Sequence, residues 1–147
     1  MRDKYAMRTL QVYEILDKVS STKNRKDKIA LLQTNDIMPL RDVLQGTFDS
    51  RIQWNLPEGA VPYTPAPEES PPTTLLREHK KFKYFVKGFQ ESTRLNPIRR
   101  ERMFLELLEG VHPRDAELLV EMINKKTSVK GLTEKLVKEA YPDLIPD

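Results

Sequence analysis

Three clusters of basic side chains carry the clearest chemistry in the sequence. Lys125, Lys126 and Lys130 lead into Gly131-Leu132-Thr133. A glycine lets another group come close to the backbone, and a threonine at a helix start sets a hydroxyl beside the first free N–H groups. Those N–H groups and the helix dipole favour a bound phosphate, to which lysines ahead of the turn add charge-assisted contacts. The same residues also suit a plain turn whose lysines face water. A second cluster, Lys23, Arg25, Lys26 and Lys28, stands at the start of an expected helix. A third, Lys80, Lys81 and Lys83, is interleaved with Phe82 and Tyr84. Interleaving of that kind suits stacking on a single strand. However, Phe82, Phe85, Val86 and Phe89 keep helical spacing, and core packing is the better account of them.

Groupings that would signal an enzyme are missing. The glycines Gly46, Gly59, Gly88, Gly110 and Gly131 are too far apart to form a phosphate-binding loop, and there is no Gly-x-Ser-x-Gly elbow or His-Glu-x-x-His helix. The chain has no cysteine, which excludes disulfides, thiolate metal sites, iron–sulfur clusters and cysteine nucleophiles. His112 precedes Pro113 and reads as a helix cap rather than a base, and His79 reads as a surface residue or at most a phosphate donor. Glu117 and Glu121 read as a solvated helix face. The expectation is a protein without catalytic residues, metal or cofactor.

The elements that must position the basic clusters are helices. The 147 residues, 38% hydrophobic and 32% charged, suit one ordinary domain. Leu10, Val12, Tyr13, Ile15, Leu16 and Val19 make one face of a helix from Ala6 to Val19. Further helices are expected from about Lys23 to Gln33 and from about Pro39 to Gln45, with Gly46 at the end. Residues 48–73 hold six of the eleven prolines and read as an ordered, extended crossover, docked by Trp54 and Tyr63. Helical patterns resume from Leu75 to Gly88, from Asn96-Pro97 to Glu109, from His112-Pro113 to Asn124, and from near Thr133 to Pro142. The fold class is therefore all-α, with about seven helices in two antiparallel groups, residues 1–47 and 74–147, joined by the crossover within a single domain. The net charge of +3 divides the same way, with +3 in residues 1–47, −3 in 48–73 and +3 in 74–147. No apolar run reaches the roughly 18 residues of a membrane span. Met1 to Tyr5 lacks the apolar core of a signal peptide, so the expected location is cytoplasmic.

One stretch points to a family. Lys130-Gly131-Leu132-Thr133-Glu134-Lys135-Leu136-Val137, closing on Ala140-Tyr141-Pro142-Asp143-Leu144-Ile145, resembles the end of the helical N-terminal DNA-binding domain of ATP-dependent DNA ligases, the T-even-type phage enzymes in particular. Arg114 to Leu119, leading to Lys125, is similar to the preceding helix of that domain. Ile15-Leu16 through Ser20-Ser21-Thr22-Lys23 to Ile29-Ala30-Leu31-Leu32 is similar to its first hairpin, and Leu40-Arg41-Asp42-Val43-Leu44 and Thr47-Phe48-Asp49 continue the order. The Trp54-to-Pro65 segment resembles small stand-alone proteins of T-even-like phages, cyanophages included. The resemblance implies a ligase-type domain that grips duplex DNA across the minor groove through backbone and basic contacts, largely without reading sequence. The sequence contains no Asp-Gly, hence no Lys-x-Asp-Gly nucleotidyltransferase motif. What is implied is the grip without the chemistry.

The expected function is non-enzymatic binding of duplex DNA, accessory to phage replication or repair in the host cytoplasm. Phosphates would be held by helix N-termini and by Lys125, Lys126, Lys130, Gly131 and Thr133, followed by Lys23, Arg25 and Lys26. Lys80, Lys81, Arg99 and Arg100 are weaker candidates. The alternative is an adapter or structural component of phage replication, transcription or virion assembly, in which phage or host proteins would meet Glu58, Glu68 and Glu69 with Trp54 and Tyr63.

Overall fold

Caps placed by the sequence decide where most helices start in the computed structural model, which describes residues 8–146. α1 (Val12–Ser21), α2 (Arg25–Thr34) and α3 (Met38–Phe48) follow one another closely. Residues 49–74 then form no helix, and α4 (Leu75–Glu78) is a single turn that continues as a 3₁₀ segment, His79–Phe85. α5 (Gln90–Thr93) is another single turn, before α6 (Pro97–Gly110), α7 (Pro113–Ile123) and α8 (Glu134–Ala140). Asn24 Oδ1 accepts from the Lys26 N–H at 2.8 Å and starts α2. Asn96 Oδ1 does the same for Arg99 N at 2.8 Å, His112 Nδ1 for Arg114 N at 3.0 Å, and Thr133 Oγ1 for Leu136 N at 3.1 Å. Each cap satisfies an N–H that the helix itself leaves open, and Pro97 and Pro113 have no such N–H to satisfy.

α1 is capped from another helix. Asp115 Oδ1, on α7, accepts from Tyr13 N at 2.9 Å, while the Glu14 carboxylate accepts from Gln11 N at 2.8 Å. Gln11 is extended, so α1 begins at Val12 and residues 8–11 are not helical, later than the expected start. Ala6 itself, and Met1 to Tyr5 with the signal-peptide reading, lie outside the described residues.

The fold is all-α, and helices from either side of the crossover share one core. α3 and α1 pack on α7, and α2 packs on α8. Leu16, Leu40, Leu44, Leu119, Met122 and Leu136 from these helices are fully buried together. Among the described residues, no helix is long and apolar enough to cross a membrane.

The crossover is docked along its length. The buried Trp54 donates through Nε1 to Gly46 O at 3.0 Å. A Cβ at Gly46 would lie 2.5 Å from the Trp54 ring and 2.8 Å from Met122 Sδ, so only glycine lets the indole lie on α3. Asn55 N donates to Phe85 O at 2.6 Å and Lys87 N to Gln53 O at 2.8 Å, which makes a single antiparallel bridge between Trp54 and Val86. Further on, Gly59 and Asn124 exchange hydrogen bonds of 2.7 and 3.1 Å, and Thr73 N reaches Gly110 O at 2.8 Å.

That bridge explains a departure from the sequence expectation. Leu75 to Gly88 is not one α-helix, because the segment tightens after Glu78 and leaves the helix at Val86 to pair with the crossover. In a 3₁₀ helix residues three apart eclipse. His79, Phe82 and Phe85 therefore form one row facing inward, and Lys80 and Lys83 the row beside it.

Candidate functional site

The expected phosphate site was the stretch from Lys125 to Thr133, and the structure divides it. Lys125 follows the C-terminus of α7 in the left-handed region, at φ +56°. Its N–H reaches Met122 O at 3.0 Å and that of Lys126 reaches Glu121 O at 3.1 Å, the paired bonds that close a helix end. This geometry turns the Lys125 side chain inward. Its ammonium donates to Gly46 O at 2.7 Å, Asp49 O at 2.8 Å and Ile52 O at 2.9 Å. All three ammonium protons are thereby engaged, so Lys125 is withdrawn from the phosphate-binding set. Burial pushes its pKa down, and the neighbouring Asp49 carboxylate opposes that shift. The arrangement seals the negative end of α3.

Asp49, itself buried, completes this corner. It accepts from Arg51 N, Arg51 Nε and Gln45 Nε2 at 2.9, 3.1 and 3.2 Å. Hydrogen bonds from the Arg51 guanidinium hold its carboxyl well below the ordinary range, at about 2.

Gly131 also has a different role from the one expected. Its φ of +80° needs glycine, and the space beside it is filled by Lys28, whose Cε would lie 2.7 Å from a Cβ there. Lys28 is buried, donating through Nζ to Val19 O at 2.5 Å and to Lys130 O at 3.5 Å. The close approach the glycine permits is thus that of a lysine stem, not of a phosphate. Arg25 is paired with Glu139 on α8. The Thr133 hydroxyl caps α8.

Lys23, Lys26, Lys126 and Lys130 remain as exposed cations that form no ion pair among the described residues. Lys28 reaches Lys130 O and so joins α2 to the turn before α8, while the Arg25–Glu139 pair joins the start of α2 to the end of α8; Lys23 and Lys26 at the start of α2 and Lys130 in that turn are exposed. The first turns of α2 and α8 also carry Asp27 and Glu134, which suit the helix dipoles and dilute the positive field.

The weaker candidates divide as well. Arg100 is buried and donates to Asn55 O, Ser92 O and Leu95 O at 2.8, 3.1 and 2.8 Å, fastening the crossover to α6. Lys81 is paired with Glu78 at 2.6 Å. Lys80 and Arg99 are exposed. Residues 77–102 hold nine basic and three acidic side chains, a concentration that regional sums over 74–147 conceal. His79 is not the surface residue expected, because its Nδ1 lies 2.6 Å from Asp42 Oδ2 and its side chain is 11% exposed.

The acidic crossover offers less to a partner protein than its sequence suggested. Trp54 is buried and Tyr63 packs on the core, leaving Glu58, Glu68 and Glu69 as the exposed elements of that expected docking segment.

No curated protein matches this sequence significantly. Residues 15–129, from within α1 to the turn after α7, match DUF6433, a family of unknown function, and the chain belongs to that family.

Proposed function

We propose that the protein binds duplex DNA without catalysis, holding backbone phosphates at the edge formed by the start of α2 and the turn before α8. The observation that carries this reading is that Lys23, Lys26 and Lys130, on two segments joined by Lys28, are exposed and without carboxylate partners among the described residues. Lys126, in the turn after α7, is a further exposed cation without an ion pair among the described residues. The reading keeps the grip implied by the resemblance to phage ligase DNA-binding domains, as an accessory to replication or repair, and moves it off Lys125, Arg25 and Gly131. Contacts of this kind position a protein on the duplex without reading its bases.

The test is a titration of random-sequence duplex at several salt concentrations. Binding should weaken steeply as salt rises, and Lys23→Ala/Lys26→Ala/Lys130→Ala should lower the log–log slope by about 3, close to one for each lost phosphate contact. Undetectable binding at low salt, or affinity indifferent to salt, would overturn the function. A triple variant that binds like the native protein would overturn the site alone.

A further inference from the structure

A groove of about 240 Å³ lies between α3, the start of the crossover and the 3₁₀ segment, and none of Lys23, Lys26 and Lys130 lines it. One wall is aromatic, made of Trp54, Phe82 and Phe89, and Phe89 is 45% exposed. The Trp54 N–H is already bonded to Gly46 O, so the indole offers the groove its ring rather than a donor. The lining is also cationic. Lys80 and Lys83 line it, both exposed, and form no ion pair among the described residues. Three residues apart in a 3₁₀ helix, they stand in one row. Lys83 also lies 5.6 Å from the centre of the Tyr84 ring.

The lining also holds polar groups able to orient a ligand. His79 and Gln45 line the groove. A carboxylate only accepts, so His79 Nδ1 is the donor to Asp42, which leaves Nε2 as the free ring nitrogen. The hydrogen bond engages the one carboxylate of the groove. Gln45 donates to Asp49, which leaves its oxygen free to accept.

We propose that this groove binds a single phosphorylated nucleoside, either a free mononucleotide or the unpaired end of a strand. The volume is below the range of about 300–1,000 Å³ typical of drug-sized ligands, so it takes one ring system rather than a peptide. An aromatic wall accepts a base of any identity through its face. Two ammonium groups in one row match the oxygens of a doubly charged phosphate better than a lone carboxylate does. His79 and Gln45 give a heterocycle polar partners that a phenyl ring cannot use.

Trp54 is the only tryptophan in the chain, so its fluorescence reports the groove directly. The probes are dAMP, deoxyadenosine, inorganic phosphate and phenyl phosphate. dAMP should shift the emission saturably and bind at least about tenfold more tightly than any of the other three, since only dAMP combines base and charge. Lys80→Ala/Lys83→Ala and Phe89→Ala change exposed side chains and should keep the native circular dichroism while weakening dAMP about tenfold. Lys23→Ala/Lys26→Ala/Lys130→Ala should bind dAMP normally, which separates this site from the duplex edge. A duplex with a short single-stranded overhang distinguishes the two sources. Tighter binding than a blunt duplex, lost in Lys80→Ala/Lys83→Ala, identifies a strand end; no such preference, with dAMP still bound, identifies the free nucleotide. No saturable shift with dAMP up to about 10 mM, a limit set by the weakest specific affinities, would overturn the proposal. Phenyl phosphate or inorganic phosphate binding as tightly as dAMP would overturn it too.

Discussion

The turn that follows α7 and the turn that precedes α8 solve one problem in opposite ways. Each lies against the carbonyl end of another helix, α3 in the first case and α1 in the second, and each places a lysine ammonium there. After α7 the ammonium belongs to the turn itself. Lys125 adopts the left-handed conformation, at a cost of about 1 kcal/mol for a residue with a side chain, and is repaid with three charge-assisted bonds. Before α8 the ammonium comes from Lys28 on α2, the left-handed position is taken by Gly131, and Lys130 is left to face water. Lys125 and Lys130 belong to one cluster in the sequence, yet one is structural and the other free for a ligand. The difference comes from where neighbouring helices end.

Replacing the inward lysine should have the largest effect. Lys125→Ala strips three carbonyls of their charged donor and keeps the unfavourable backbone conformation, so it should lower stability by about 3–4 kcal/mol in chemical denaturation. Lys126→Ala and Lys130→Ala, which change only exposed side chains, should stay within about 0.5 kcal/mol. Equal effects at Lys125 and Lys130 would erase the distinction.

An inward acid without a cation should behave differently from either inward lysine. Asp115 is fully buried, and its Oδ2 has no partner while Oδ1 caps α1. Burial pushes its pKa from 3.8 up to about 7, and the Glu14 and Asp17 carboxylates add to the shift. Below about pH 4 the group is neutral in both folded and unfolded chains. Between about pH 4 and about 7 only the unfolded chain ionises, so stability falls as pH rises; above about 7 the penalty is constant. Asp115 should therefore remove about 3–4 kcal/mol between pH 4 and pH 8, and Asp115→Asn should abolish that part of the pH dependence. A pH profile identical in the two proteins would show that the carboxyl ionises freely in the fold.

Local signals made much of this architecture legible in the sequence. Asn96-Pro97, His112-Pro113 and Thr133 marked helix starts because capping joins a side chain to a backbone two or three residues away, whereas the cap of α2, Asn24, lies beyond the Ser20-Ser21-Thr22 run that offered itself for that role. The prolines and Trp54 marked an ordered crossover, since proline excludes a helix and a large ring seeks a core. The features that were not legible depend on contacts between distant parts of the chain. The 3₁₀ segment keeps His79, Phe82 and Phe85 in a row at a spacing of three, which an α-helix accommodates almost as well, and the pairing of Val86 with Trp54 decides between them. The roles of Lys125, Lys28 and Arg100 rest on carbonyls 73–79, 9 or 102, and 5, 8 or 45 residues away. A basic cluster read from sequence therefore overstates the cations available to a ligand by those the fold uses itself.

The smallest of these effects tests the second turn. Gly131→Ala should cost about 2 kcal/mol, from two separable sources. One is the left-handed backbone at φ +80°, which opposes any Cβ and contributes about 1 kcal/mol. The other is the encounter of that Cβ with Lys28 Cε at 2.7 Å. Lys28 is flexible enough to move aside, but in moving it gives up Val19 O, the carbonyl that its ammonium holds. Lys28→Ala removes that encounter in advance, so in its background Gly131→Ala should cost only the backbone share. The cycle formed by the two single variants and the double variant should accordingly show a coupling of about 1 kcal/mol. A coupling near zero would mean that Gly131 is required by its conformation alone and that Lys28 reaches α1 without needing the space beside it. Lys125→Gly gives the reciprocal test at the other turn. Glycine relieves the strained conformation there, so it should recover about 1 kcal/mol of the loss seen in Lys125→Ala, and the remainder measures what the ammonium contributes to the end of α3.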